Sequence, residues 1–325
     1  MSAARTLMFV AEVVAASCML PTHGVTQEWP ARPITLIVPY TAGGATDLYS
    51  RALADFMNRK YSYTVVVDNR PGAGGFLGVN AVQTSQPNGY TFGYFSSSTM
   101  IGYKFLGKDL VIGRDVEAVA QFQSTATISV VNPKVVPVKS LGELVAYLKT
   151  NLGTNYATIG VGSLNHMTMS AFARKAGLDV THIPYKGGAP ASAALIAGDV
   201  GIGIGMDPPS VLSHIEAGRL VPLASSGEQR LRRLPDLPTV YEAGFPDLGG
   251  TTFGGIIAPK NTPAEILSRF TRIIDEASKD PAFVERLQMG GSEVSFADAK
   301  TFQDALNSES ERLGRIIVEN NIKPE

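Results

Sequence analysis

From Pro33 onward, short β-branched runs alternate with amphipathic stretches, and this alternation limits the possible folds more than any other feature of the chain. "ITLIVPY", "TVVVDN" and "YTFGYFSSST" read as strands. Between the first two, "TDLYSRALADFMNRK" places Leu48, Ala52, Leu53, Phe56 and Met57 on one helical face. After the turn "RPGAGG", a helix is expected over 78–85. Strand, helix and strand in succession predict βαβ units, an α/β fold and mostly parallel sheets.

The pattern runs on with a strand at "TISVVNP" and a helix at "SLGELVAYLKT", whose expected N-cap is Ser140. A second βα series then begins at "NYATIGVGS" and continues through "NHMTMSAFARKAG", "VTHIPY", "APASAALIAG", "VGIGIGM", "SVLSHIEAG" and "RLVPLASSG". Residues 234–250 are rich in Pro and Gly and read as a connector. "FGGIIAP" returns to strand, and three amphipathic helices are expected from Pro263 to the end. At 325 residues the chain exceeds one ordinary core, which suggests two domains or one domain with a large insertion.

Apolar residues make up 44% of the chain and charged residues 18%, with a formal net charge of −1. There is no dense basic surface for nucleic acid. The N-terminal "MSAARTLMFVAEVVAASCML" resembles a secretory signal peptide, with Arg5 as its early cation and Glu12 interrupting the apolar stretch. Export over residues 1–28 is therefore expected. A frayed helix is the other reading of this stretch. Cys18 is the only cysteine. "AASC" is a poor lipoprotein site because Ala15 stands where Leu is usual, so a lipid anchor at Cys18 is the minor alternative. Cleavage beyond Cys18 would leave no thiol, which suits an oxidising compartment.

One short pattern occurs twice. Val38-Pro39-Tyr40 leads into Gly43-Gly44, and Ile183-Pro184-Tyr185 leads into Gly187-Gly188. Each lies between a strand and a helix, where free backbone N–H groups can hold an anion. Two ordinary glycine turns would look the same. The sharper reading is two lobes, each offering a glycine loop to a shared cleft at the carboxyl ends of its strands. Asp47 is then either a cap on the first helix or a ligand contact. Tyr40 and Tyr185 are phenol donors or packed rings, and the run Ser96–Thr99 is a set of cleft hydroxyls or a plain polar loop. Lys186 is more simply a solvated loop cation.

Other chemistries fit less well. In Gly72-Ala73-Gly74-Gly75-Phe76-Leu77-Gly78 the third glycine of a dinucleotide fingerprint is displaced by one position, and no phosphate-binding P-loop occurs. His23, His166, His182 and His214 show no metal-ligand spacing, so neither a metal nor a cofactor is expected. Ser163, His166 and Asp207 allow a serine hydrolase as a remote alternative, but the local string is G-V-G-S-L rather than G-x-S-x-G.

Taken together, "WPARPITLIVPYTAGGATDLYSRALADFM", "VVVDNRPGAGGFLGVNAV", "PNGYTF", "GVGSLNHM", "IPYKGGAPASAALIAGDV" and "LPTVYEAGFPDL" resemble the Bug receptors. These are the periplasmic substrate-binding proteins of tripartite tricarboxylate transporters. The resemblance implies a type II periplasmic binding-protein fold, two α/β lobes with a ligand cleft between them. It also implies a non-catalytic receptor that delivers a small carboxylate to membrane permease subunits. Lobe 1 is expected over 29–127 plus 251–325 and lobe 2 over 128–250, in a periplasmic monomer. A receptor that signals to a membrane partner instead of feeding a transporter is the alternative.

Carried over residue by residue, the first ligand loop is Tyr40, Thr41, Ala42, Gly43, Gly44, Thr46 and Asp47. The hydroxyl loop is Ser97, Ser98 and Thr99. The second lobe contributes Gly162, Ser163 and His166, then Tyr185, Lys186, Gly187 and Gly188, and finally Asp207. Two positions depart from the family pattern: Phe253 stands where Trp is usual, and Met100 where a His often follows the hydroxyl loop. Both are expected near the distal end of the ligand.

Overall fold

The computed structural model describes residues 29–319, apart from Leu106 and Gly162. The leader reading of 1–28, with Cys18 and His23, and the site assignment of Gly162 lie outside the described residues. Two sheets organise the rest. The first contains β1 (Ile34–Val38), β2 (Val65–Asn69), β3 (Thr91–Ser96), β4 (Val116–Ala126), β10 (Thr251–Pro259) and β11 (Glu293–Ala297). Its strand order is β11-β4-β10-β3-β1-β2. The second contains β5 (Ile128–Val131), β6 (Thr154–Thr158), β7 (Val180–Pro184), β8 (Ile202–Met206) and β9 (Val221–Ser225), in the order β7-β6-β8-β5-β9.

The sheets are mixed rather than mostly parallel. The βαβ units give the parallel pairs β1–β2, β1–β3, β6–β7 and β6–β8. The strands next to the passages between sheets run the other way: β10 is antiparallel to both β3 and β4, and β5 to both β8 and β9. The eleven-residue β4 was not read from the sequence, because "VEAVAQFQSTA" mixes Glu and Gln into its apolar run. The five-residue edge strand β11, between the last two helices, was also missed.

The helices cover the sheet faces. In the first lobe they are α1 (Ala45–Tyr61), α2 (Phe76–Gln83), α3 (Ser97–Phe105), α8 (Ala264–Ala277), α9 (Pro281–Met289) and α10 (Ala299–Glu319). In the second they are α4 (Leu141–Thr150), α5 (Leu164–Ala176), α6 (Gly188–Ala197) and α7 (Pro208–Glu216). Ala52, Leu53, Phe56 and Met57 of α1 are buried as the helical spacing requires, and Leu48 is half-buried. Ser140 caps α4 by accepting the Glu143 N–H, as expected. Phe270 of α8 meets Phe92 of β3 at 4.3 Å between ring centroids. Burying such a side chain contributes roughly 1.5–3 kcal/mol. The stretch 234–250 holds no strand or α-helix, only the 3-10 turn Pro246–Leu248.

The chain passes from the first sheet to the second between Ala126 and Ile128 and returns before Thr251. One side chain joins these passages. The Ser226 hydroxyl accepts from the Thr127 N–H and hydroxyl, both at 2.9 Å, and donates to the Gly250 carbonyl at 2.6 Å. Backbone bonds from Ser226 N–H to Thr127 O and from Gly250 N–H to Ser226 O complete the tie.

Candidate functional site

The first glycine loop is a rigid shelf ending in an open helix start. Gly43 has φ +83°, a left-handed value that glycine adopts without the strain of a Cβ. Gly44 is the N-cap of α1, yet no side chain caps the helix among the described residues. The first hydrogen bond inward is Leu48 N–H to Gly44 O, at 3.0 Å. The amides of Ala45, Thr46 and Asp47 therefore face outward with the positive end of the helix dipole.

Asp47 does not cover them. Its Oδ2 accepts the Gly43 N–H at 3.0 Å and Arg51 Nε at 2.9 Å, which folds the loop back onto its own helix. Burial pushes the Asp47 pKa up, but Arg51, the Gly43 N–H and Asn69 outweigh it and hold the carboxyl below its ordinary value. Asn69 also donates to the Tyr40 carbonyl at 3.0 Å. The Tyr40 phenol donates to Gly74 O at 3.2 Å; burial, against the hydrogen bonds of Thr99 and Ser98, pushes its pKa up to about 12. Tyr40 is thus a buried prop for the loop. Ala42 and Gly43 are exposed.

The second glycine loop lies against the first. Gly187 has φ +137°, and a Cβ there would sit 2.8 Å from Thr41 Oγ1. The Thr41 N–H donates to the Lys186 carbonyl at 3.3 Å, while the Lys186 side chain is exposed. Tyr185 packs against the second lobe's apolar cluster; burial, with the Asp199 charge, raises its pKa. Gly187 caps α6 without any side-chain bond, so the start of α6 is as open as that of α1. The two starts converge: a Cβ on Gly44 would lie 3.8 Å from Gly188 N and 4.0 Å from Ala189 N. Elsewhere along the cleft, a Cβ on Gly160 would lie 3.7 Å from Gly74 Cα, so the turn that resembled a nucleotide loop serves as a contact between the lobes.

Two small cavities of about 30 Å³ each lie between the lobes, each with room for about two water molecules. The first is walled by Tyr40, Gly44, Ala45, Thr46, Gly188 and the aromatic pair Tyr49 and Tyr94. The second has a mixed wall, with the polar Thr127, Ser129, Asn165, Thr168 and Ser226 beside the apolar Leu164, Ile204 and Leu248. Ser98, Ile159, Asp207 and Thr252 border both. No Lys, Arg or His lines either cavity among the described residues. Asp207 N-caps α7 without a side-chain cap bond. It is enclosed by the molecule but keeps part of its surface open to the cavity, and burial pushes its pKa up to about 6.

Several sequence candidates sit elsewhere. The hydroxyl run after β3 is the start of α3 rather than a loop: Ser97 accepts the Phe253 N–H at 3.3 Å and Thr99 pairs with Ser96 at 3.0 Å, leaving Ser98 on the cavity wall. Ser163 caps α5 and donates to Gly160 O at 2.6 Å. The His166 ring is stacked 3.9 Å from that of His182, which burial drives down to about 4. A Ser163–His166–Asp207 relay is therefore not assembled. Phe253 packs edge-on against Phe302, and Met100 is fully buried in the first lobe's core, so neither departure reaches the cavities. Ile159, Asn165, Thr127 and Thr252 were not picked out in the sequence, since isolated residues of these types carry no motif.

A family model described as the tripartite tricarboxylate transporter family receptor, TctC, matches residues 49–322. The chain belongs to this receptor family. BugT of Bordetella pertussis is 32% identical to this TctC receptor over 302 residues, covering 91% of each chain. The periplasmic binding protein BugD superposes with a TM-score of 0.82 at 26% identity, covering 91% of this chain and 100% of BugD. Rpa4515 of R. palustris, solved with adipate, gives 0.85 at 28% identity, covering 92% and 100%. The fold is that of a two-lobed periplasmic binding protein, and the chain is a solute receptor rather than an enzyme. The family is extracytoplasmic, and no helix among the described residues is long and apolar enough to cross a membrane.

Proposed function

We propose that this TctC receptor is exported, closes as a monomer on a small carboxylate and delivers it to the permease subunits of a tripartite transporter. One observation carries the reading: two uncapped helix starts, one from each lobe, converge on a cavity that no basic side chain lines among the described residues. Each helix end supplies about half a positive charge. Charge-assisted hydrogen bonds contribute roughly 1.5–3 kcal/mol each. Three or four of them give about −8 kcal/mol, a micromolar affinity suited to a receptor that must release its cargo. The adipate bound by Rpa4515 is in keeping with a carboxylate.

The lobes are 29–127 plus 251–325 and 128–250, and Thr127, Ser226 and Gly250 mark the hinge. With the lobes shut, the cavities are smaller than a dicarboxylate, so ligand entry needs opening and the ligand favours the closed state. A thermal-shift screen across mono-, di- and tricarboxylates tests this. At a hundred times its Kd, a true ligand stabilises the chain by about 2.7 kcal/mol, a clear rise in Tm. A screen in which no carboxylate moves Tm would sink the proposal.

A further inference from the structure

Asp207 is a half-buried carboxylate on the wall of a site built for an anion. Its neighbours in the first cavity, Tyr40, Tyr49 and Tyr94, are neutral phenols, and no cationic side chain lines either cavity among the described residues. It does not use the amides of its own helix, since α7 carries no side-chain cap. It also lies close to the anion seat: a Cβ on Gly188, the residue that faces Gly44, would be 3.8 Å from Asp207 Oδ2. A second carboxylate brought to the helix starts would meet this charge across a short, poorly solvated gap, where like charges repel strongly. A cationic group between them removes the conflict.

The layout of the walls says where that cation belongs. The helix starts border the first cavity, Asp207 stands on the wall common to both, and the second cavity is lined by hydroxyls and the Asn165 amide together with Leu164, Ile204 and Leu248. Asn165 turns its Oδ1 to the His166 N–H at 3.2 Å, so its Nδ2, buried and without a partner among the described residues, is left as a donor on this side. Three directions from one point, towards an anion seat, a carboxylate and a chamber of mixed lining, match the carboxylate, ammonium and side chain of an α-amino acid.

We infer that this receptor selects zwitterionic α-amino acids, with the ammonium group on Asp207, the α-carboxylate on the starts of α1 and α6, and the side chain in the second cavity. This deepens the carboxylate-receptor reading and rests on it.

The test is calorimetric titration of the full chain at pH 7.5 with matched pairs: aspartate and succinate, glutamate and glutarate, 2-aminoadipate and adipate, each amino acid also in N-acetylated form. The amino member of at least one pair should bind about ten- to a hundredfold more tightly than its plain diacid and its acetylated form. Asp207→Asn should erase that ratio by weakening the amino acid. Plain diacids that equal or exceed their amino partners in the unmodified chain would overturn the inference and leave the carboxylate receptor standing. If neither member of any pair binds, and no other carboxylate does, the receptor reading fails as well. The unmodified chain alone decides, so an Asp207→Asn variant that misfolds removes nothing essential.

Discussion

The loops Pro39–Gly44 and Pro184–Gly188 share Pro-Tyr before Gly-Gly, and each leads into a helix with no side-chain cap. They are held in different ways. The first is braced from within its own lobe by Asp47, Asn69 and the buried Tyr40 phenol. The second has no such set of side-chain braces among the described residues: its tyrosine belongs to the lobe's apolar cluster, and Gly187 lies flat against Thr41. On the proposed reading, one loop is a preformed seat and the other a plate that closes over it. A repeated sequence pattern can therefore mark two surfaces that meet, without giving them the same job.

The largest expected effect breaks the seat. Gly44 has φ −88°, which any residue tolerates, and a Cβ there meets only ordinary contacts at 3.7–4.0 Å. Gly44→Val should fold normally, yet its methyl groups would cover the amides of both helix starts. Carboxylate affinity by calorimetry should fall about a hundredfold or more, the worth of two charge-assisted bonds. An unchanged Kd in a folded variant would remove the seat from the account.

Next comes the acid beside the plate. The Asp207 pKa is raised from 3.8 to about 6, so the folded protein keeps a proton that the unfolded chain loses within that window. The stability tied to this proton is complete below about 3.8 and is lost as pH rises through about 6. Asp207→Asn should therefore gain on the parent by about 2 kcal/mol between pH 4 and pH 7, a figure reduced because the group still touches the cavity. Parallel pH–denaturation curves for the two proteins would contradict this.

Gly187→Ala sharpens the comparison from the other side. With φ +137° and a Cβ 2.8 Å from Thr41 Oγ1, the shut state becomes strained, and affinity should fall about tenfold through faster dissociation. Asp47→Ala should lower stability by about 1 kcal/mol, because it frees Gly43 and Arg51, while affinity holds within a few-fold. A large affinity loss without a stability change would make Asp47 a ligand contact instead. Lys186→Ala should change neither, since only its carbonyl reaches the other loop.

The α/β alternation, the Ser140 cap and the buried face of α1 were legible because each depends on local periodicity or capping chemistry. The loop Tyr40–Asp47 was legible for the same reason: its glycines serve a local turn. What escaped depends on distance. β4 hides its apolar run behind glutamines that bond across the sheet, Gln121 to Ser295 and Gln123 to Tyr94. Ile159, Asn165 and Thr252 reach the cavities only because the second sheet is carried against the first. Phe253 and Met100, expected near the distal end of the ligand, pack with the first lobe's core cluster instead. Ser163 and His166 follow the family pattern, but the Ser163 hydroxyl caps α5 and the His166 ring stacks on His182.

The most direct measurement is a crystal structure of this chain with whichever acid stabilises it most in the thermal-shift screen. The account predicts carboxylate oxygens within about 3 Å of the Ala45 or Thr46 amide on one side and of the Gly188 or Ala189 amide on the other. A carboxylate found instead in the groove beside Arg230, Arg232 and Arg233, with the two helix starts untouched, would contradict it.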